Sequence, residues 1–204
     1  MPGKRRIGVL GGTFDPIHLG HLIIGEEARA RLDLAEVVFV PARDPWRKAR
    51  RDLAHVSDRL AMVNMAVEGN PAFSVSTVDL NREGPSYSVD TLMDIQEEKG
   101  REAELYLILG FDALADVPYW HEPARLASLA HLVAARRFGI EVDWPALEHA
   151  IPSAREHITL LDMPLVIISS TEIRRRVAEG ESIRYWVPAR VEAYIHEHGL
   201  YRAT

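Results

Sequence analysis

The sequence predicts an α/β fold, an open parallel sheet flanked by helices, with a small helical part at about residues 169–204. Three observations lead there. Short apolar runs at residues 7–10, 37–40, 105–109 and 132–135 have the pattern of strands buried on both faces. Helical patterns separate them, as the βαβ unit requires. At 204 residues the chain can bury a sizeable core, and with no repeat, low-complexity stretch or dividing linker it is expected to form a single domain over 1–204.

Taken in order, the run at 7–10 ends in Gly11-Gly12 and leads into a helical stretch at 22–34, with Leu22, Ile23, Ile24, Ala28, Leu32 and Leu34 on one side and Glu26, Glu27, Arg29 and Arg31 on the other. Val37-Val38-Phe39-Val40 is the next buried strand, and Pro41 ends it. From 42 to 55 the composition turns basic (Arg43, Arg47, Lys48, Arg50, Arg51), with Trp46 almost the lone apolar residue. A mobile basic loop at the carboxyl end of a strand is one reading, and a solvated charge run is the other.

Ser57 is expected to cap a helix through Val67, stopped by Gly69-Asn70-Pro71, and residues 73–78 alternate as a strand. A turn at Gly84-Pro85-Ser86-Tyr87-Ser88 then opens a helix to Lys99. The strand at 105–109 runs into Gly110-Phe111-Asp112, where the carboxylate suits a ribose hydroxyl, with a helix cap as the alternative. Residues 142–154 read as a short helix, 158–161 as a strand and 165–168 as a further strand. That last run enters Ser169-Ser170-Thr171-Glu172-Ile173-Arg174, a second anion-binding helix start or an amphipathic helix with a basic face. A final helix at 188–199 turns Val191, Tyr194 and Ile195 inward.

Composition narrows the function. A net charge of −6 argues against general nucleic-acid binding. The absence of cysteine leaves no disulfide or thiolate metal site and fits a reducing compartment. No secretory leader or membrane span is expected, so a cytoplasmic protein is.

The chemistry concentrates in Gly11-Gly12-Thr13-Phe14-Asp15-Pro16-Ile17-His18-Leu19-Gly20-His21. Paired glycines let backbone approach a bulky anion, and the helix that follows aims unpaired N–H groups and its positive dipole end at that anion. His18 and His21, three apart, share one face of the opening turn and could stabilise charge growing on a phosphoryl group. An ordinary turn followed by solvated histidines fits the same letters.

That stretch resembles the signature of the HxGH nucleotidylyltransferases, and its Gly-Gly-Thr-Phe-Asp-Pro opening is most similar to the branch that acts on nicotinate mononucleotide. Ser86-Tyr87-Ser88, Gly110-Phe111-Asp112, Tyr119-Trp120 and Ile168 through Arg174 extend the likeness over nearly the whole chain. The resemblance implies a Rossmann-like sheet and adenylyl transfer from ATP to nicotinate mononucleotide, giving nicotinate adenine dinucleotide and pyrophosphate in NAD biosynthesis, with Mg²⁺ accompanying ATP. It implies that Gly11, Gly12, Thr13, Phe14, His18 and His21 line the ATP site, that Gly110 and Asp112 hold its adenosine half, and that Ser170, Thr171 and Arg174 hold its triphosphate. His18, His21, Lys48 and Arg174 would carry the catalytic charge stabilisation. Trp46, Arg47, Lys48, Ser88 and Trp120 would bind the mononucleotide. Two departures stand out: many relatives carry Pro-Pro-His-Lys where this chain has Pro45-Trp46-Arg47-Lys48, and Ser-Tyr-Thr where it has Ser86-Tyr87-Ser88. Positive charge survives in the first, but Trp46 is far bulkier than proline.

Other readings remain open. A transferase for phosphopantetheine or nicotinamide mononucleotide shares the signature, and a non-catalytic nucleotide sensor would too. A dinucleotide oxidoreductase lacks its GxGxxG spacing here, there is no P-loop, and a zinc hydrolase lacks HExxH and a third ligand. No partner macromolecule or membrane is implied, and a homo-oligomer stays compatible with the sequence.

Overall fold

The computed structural model describes residues 4–44, 53–136, 142–163 and 166–203. Its elements run β1 (Arg6–Gly12), α1 (Leu19–Leu32), β2 (Glu36–Pro41), α2 (Val56–Val67), β3 (Phe73–Val75), α3 (Val78–Asn81), α4 (Ser88–Lys99), β4 (Glu104–Gly110) and α5 (Phe111–Asp116). A 3-10 turn (Val117–Tyr119), α6 (Pro123–Leu129), β5 (His131–Ala135), α7 (Trp144–Ala150), α8 (Ala154–His157), β6 (Ile158–Leu161), α9 (Ser170–Ala178) and α10 (Ala189–Glu197) follow.

The six strands form one sheet in the order β3-β2-β1-β4-β5-β6, and every neighbouring pair is parallel. This is the Rossmann-like open sheet that the apolar runs predict. From β1 the chain goes to β2 on one side and reaches β4 on the other, so the order reverses there and a crevice opens beyond the carboxyl ends of β1 and β4. Register brings the strand tips level: Gly12 lies opposite Pro41, and Gly110 opposite Ala135.

Alternate strand residues feed two cores. Val9, Val38, Leu107 and Leu132 pack against Val89, Leu92 and Ile95 of α4 and Leu126 of α6 on one face. Phe39, Val37, Ile108 and Val133 pack on the other against Ala28 of α1, Met62 and Val63 of α2, and Ile173, Val177, Val191 and Ile195 of α9 and α10. The C-terminal helices therefore share the apolar core of α1 and α2.

Several boundaries differ from the sequence reading. β3 stops at Val75, and residues 78–81 coil into α3. α2 is capped by His55, whose side chain accepts the Ser57 N–H, because His55 holds the extended backbone while Ser57 is already helical. Residues 166–169 form no strand: Ile167 is 69% exposed, and β6 already closes that edge of the sheet. An apolar run alone cannot reveal whether a neighbouring strand is available to pair with it.

Phe39 connects this core to the crevice, since its fully buried ring lies 5.0 Å from that of Phe73 and 6.1 Å from that of Phe14. Phe39→Ala should cost about 3–5 kcal/mol of unfolding free energy, measured by urea titration.

Candidate active site

The site grows from the turn between β1 and α1. Thr13, Phe14, Asp15, Ile17 and His18 are all buried there, so His18 is not the solvated helix-start residue of the alternative reading. Phe14 adopts a left-handed backbone (φ 48°), and the Asp15-Pro16 peptide is cis. Its ring meets the edge of His21 at 5.0 Å. His18 is the extended residue that caps α1, and its N–H donates to His21 Nδ1 at 3.2 Å. An Nδ1 that accepts carries no hydrogen, so neutral His21 bears its proton on Nε2. The two imidazoles stack with centroids 3.7 Å apart.

Gly20 makes that stacking possible: a Cβ there would sit 3.0 Å from His18 Nδ1 and 3.1 Å from Cε1. No acidic residue occupies the first turn of α1, so its positive end is left uncancelled. Trp186 supports the same end, its carbonyl accepting the Leu19 N–H at 2.9 Å.

Beside this helix start an open cleft of about 110 Å³ is lined by His18, Gly20, Gly110, Asp112, Ala135 and Ile168, among others. It lies at the carboxyl ends of β4 and β5, beside the point where strand order reverses. Cβ atoms on Gly11 or Gly110 would meet no protein atom within 4 Å, so both faces of the crevice leave room for a ligand against the backbone. Asp112 is not the cap of its helix, a place held by Gly110; it stands in the first turn of α5 and faces the cleft.

α9 closes the arrangement from the far end of the chain. Ser169 caps it by accepting the Glu172 N–H, and the Ser170 hydroxyl donates to the Pro16 carbonyl at 2.9 Å. Arg174 donates to the Asp15 carbonyl at 2.6 Å and lies 3.5 Å from Asp15 Oδ2. Arg175 and Arg176 instead pair with Glu172 and Glu181 on the outer side. One arginine of the basic triplet thus turns to the site, while Thr171 stays exposed.

On the opposite side, the Ser86 hydroxyl accepts from the Arg43 and Asp44 N–H groups at 3.1 and 3.4 Å. Tyr87 stacks on His121 at 4.3 Å, which brings the start of α4, with Ser88 in its first position, beside Trp120. The first turn of α4 has no side-chain cap. The Trp120 backbone N–H is held by the Val117 carbonyl at 2.9 Å, whereas its buried indole Nε1 has no partner among the described residues. The side chain, rather than the main chain, is the donor Trp120 has to offer. Trp46, Arg47 and Lys48 lie outside the described residues, as does most of the basic stretch.

Arg59 and Tyr201 are absent from the sequence reading yet converge on this turn. The buried Arg59 guanidinium donates to the Thr13 and Ala42 carbonyls at 2.7 and 2.8 Å, and the Tyr201 hydroxyl donates to Asp15 Oδ1 at 2.7 Å. A signal for Arg59 was legible: it falls three and four residues before Met62 and Val63, inside the buried stripe of α2. For Tyr201, in an irregular tail, no local pattern exists.

An open parallel sheet whose switch-point cleft meets a histidine pair at an uncancelled helix start defines a nucleotide-binding α/β protein equipped for phosphoryl chemistry. The chain matches the cytidylyltransferase-like family over residues 9–176. It is 49% identical over 199 residues to the probable nicotinate-nucleotide adenylyltransferase of Thermomicrobium roseum, covering 98% of this chain and 92% of that one. Against the probable nicotinate-nucleotide adenylyltransferase of Roseiflexus sp. it is 48% identical, with 96% and 98% covered. In fold it is similar to Plasmodium falciparum nicotinic acid mononucleotide adenylyltransferase complexed with NaAD, at a TM-score of 0.75 and 21% identity over 97% of each chain. The chain belongs to the nicotinate-nucleotide adenylyltransferase family.

Gly20→Ala separates stability from activity. Alanine favours a helix by about 1 kcal/mol, so thermal stability should hold or rise. The His18 ring must move, and turnover should fall about 10- to 100-fold, read by comparing melting with initial rates.

Proposed function

We propose that this chain joins ATP and nicotinate mononucleotide, the mononucleotide phosphate attacking the α-phosphorus of ATP as pyrophosphate leaves. The carrying observation is the shared cleft: His18 and Asp112 line one opening beside the uncancelled start of α1, next to the turn to which Ser170 and Arg174 are tied. The names of relatives similar over nearly their whole length support the choice of substrates.

In this reading no side chain becomes covalently attached. Positioning and charge stabilisation carry the reaction. His18 and His21, at the positive start of α1, receive charge that develops at the α-phosphorus, and a hydrogen on His21 Nε2 makes that imidazole a donor without a net charge. Asp112 accepts from ribose hydroxyls. Arg174 holds phosphate oxygens from the end of its guanidinium that is not bound to Asp15. Lys48 and Arg47 are assigned to the mononucleotide phosphate, with Trp46 beside them.

Mg²⁺ enters with ATP. Among the described residues no group of three or more His, Cys, Asp or Glu side chains could hold a metal ion. Mg²⁺ would neutralise charge on the departing pyrophosphate. Among the same residues no helix is long and apolar enough to cross a membrane.

The pyridine end gives the test of substrate. Trp120 Nε1 and the backbone N–H groups of the uncapped first turn of α4 can only donate, the Ser88 hydroxyl can donate as well, and a carboxylate accepts from all of them. An amide N–H facing Trp120 Nε1 or an α4 backbone N–H would be left unpaired, at roughly 1–3 kcal/mol. Pyrophosphate release should therefore give a kcat/KM about 10- to 100-fold higher for nicotinate than for nicotinamide mononucleotide. Equal efficiencies would sink the donor-only pocket. Separately, Arg174→Ala should raise KM for ATP more than KM for the mononucleotide, and an equal rise in both would assign Arg174 to folding alone.

A further inference from the structure

Asp15, 2% exposed, stands at the centre of a buried network that the transfer chemistry does not itself use. Its Oδ1 accepts the Tyr201 hydroxyl at 2.7 Å and the Ala54 N–H at 3.2 Å. On its other side stands Arg174, bound to the Asp15 carbonyl at 2.6 Å. Arg59 spans the neighbouring backbone, reaching the carbonyls of Thr13, Ala42 and Ala54 at 2.7, 2.8 and 3.3 Å. The Ala42 N–H closes the circuit on the Gly12 carbonyl at 2.9 Å.

Ala42 and Ala54 flank the stretch that carries Lys48. The network thus ties together the glycine turn, both described flanks of the basic stretch, the Arg174 helix and the C-terminal tail. Burial and the adjacent Asp15 push the Tyr201 phenol well above its ordinary range, so it stays a donor. Burial draws Arg59 down, with Asp15 opposing. The Asp15 carboxylate lies 3.5 Å from the Arg174 guanidinium and also favours the charge on Arg59.

We propose that Tyr201 and Arg59 are positioning residues for the ATP half of the reaction: by holding Asp15 and Thr13 they keep Arg174 and the flanks of the basic stretch in register with the glycine turn. A purely structural role would lower stability and leave substrate preference alone. A positioning role acts on ATP and spares the mononucleotide. The inference rests on the assignment of Arg174 to ATP.

Tyr201→Phe tests it by removing one hydroxyl while keeping the ring. KM for ATP should rise about fivefold to fiftyfold, KM for the mononucleotide should stay within about twofold, and the nucleotide-free protein should still unfold cooperatively. Amide exchange at Ala54 in that nucleotide-free protein should accelerate about tenfold or more relative to the β4 amides, a readout that involves no ATP. Unchanged Ala54 exchange, or equal changes in both KM values, overturns the proposal. If Arg174→Ala leaves KM for ATP unmoved while Ala54 exchange still accelerates in Tyr201→Phe, the assignment of Arg174 has failed and the network itself stands. Should Tyr201→Phe not fold, Arg59→Lys keeps the cation but cannot span three carbonyls, and the same split in KM is expected; equal KM values there count against the proposal.

Discussion

The turn from β1 into α1 is the constraint on which the rest depends. Its chain must reverse direction within a few residues, bury Phe14, Ile17 and His18, and still present a helix start to the crevice. Left-handed backbone at Phe14 achieves the reversal, and the ring so placed fills the space against Phe39 and His21. Gly12 is small for the same reason, because a Cβ there would sit 2.9 Å from the Phe14 ring. The spacing of the two histidines follows: His18 ends the extended segment, His21 stands in the first turn of the helix, and Gly20 leaves room for the first to lie on the second.

Charge is arranged by burial rather than by amount. The chain is acidic overall, at −6, yet both buried or half-buried guanidinium groups around the turn, Arg59 and Arg174, share Asp15 as their carboxylate. Exposed arginines elsewhere are matched by glutamates in register, as Arg29 is by Glu26, Arg31 by Glu27 and Arg175 by Glu172. Such surface pairs are screened and contribute little to stability. The charges around Asp15, buried or half-buried, are screened far less.

Parallel strands buried on both faces read as plain apolar runs, and for that reason β1, β2, β4 and β5 were legible in the sequence. The glycine turn, the paired histidines and the element at Gly110 were legible because each has a local signature at a strand tip. Failures came where the decision was not local. Residues 166–169 have strand composition and no partner strand, and β3 was overextended because Val78 belongs to a helix that only tertiary packing selects. Whether Arg174, Arg175 or Arg176 would turn inward depends on a carbonyl more than 150 residues away in sequence. The same distance hid the bond from Tyr201 to Asp15.

These long-range bonds bear on why the C-terminal helices pack where they do. α9 and α10 bury Ile173, Val177, Val191 and Ile195 in the core that also holds Met62 and Val63 of α2. That apolar contact is non-directional and fixes position only loosely. Direction comes from the polar bonds at its rim: Ser170 to Pro16, Arg174 to Asp15, Tyr194 to Asp58 and Tyr201 to Asp15. Each joins the last third of the chain to the glycine turn or to α2. In-line transfer between two phosphates asks little of a protein beyond holding them at a set distance and orientation. A fold that pins the first strand turn with hydrogen bonds from its final residues meets that demand through its chain topology, because the groups assigned to the phosphates cannot separate without breaking buried polar contacts.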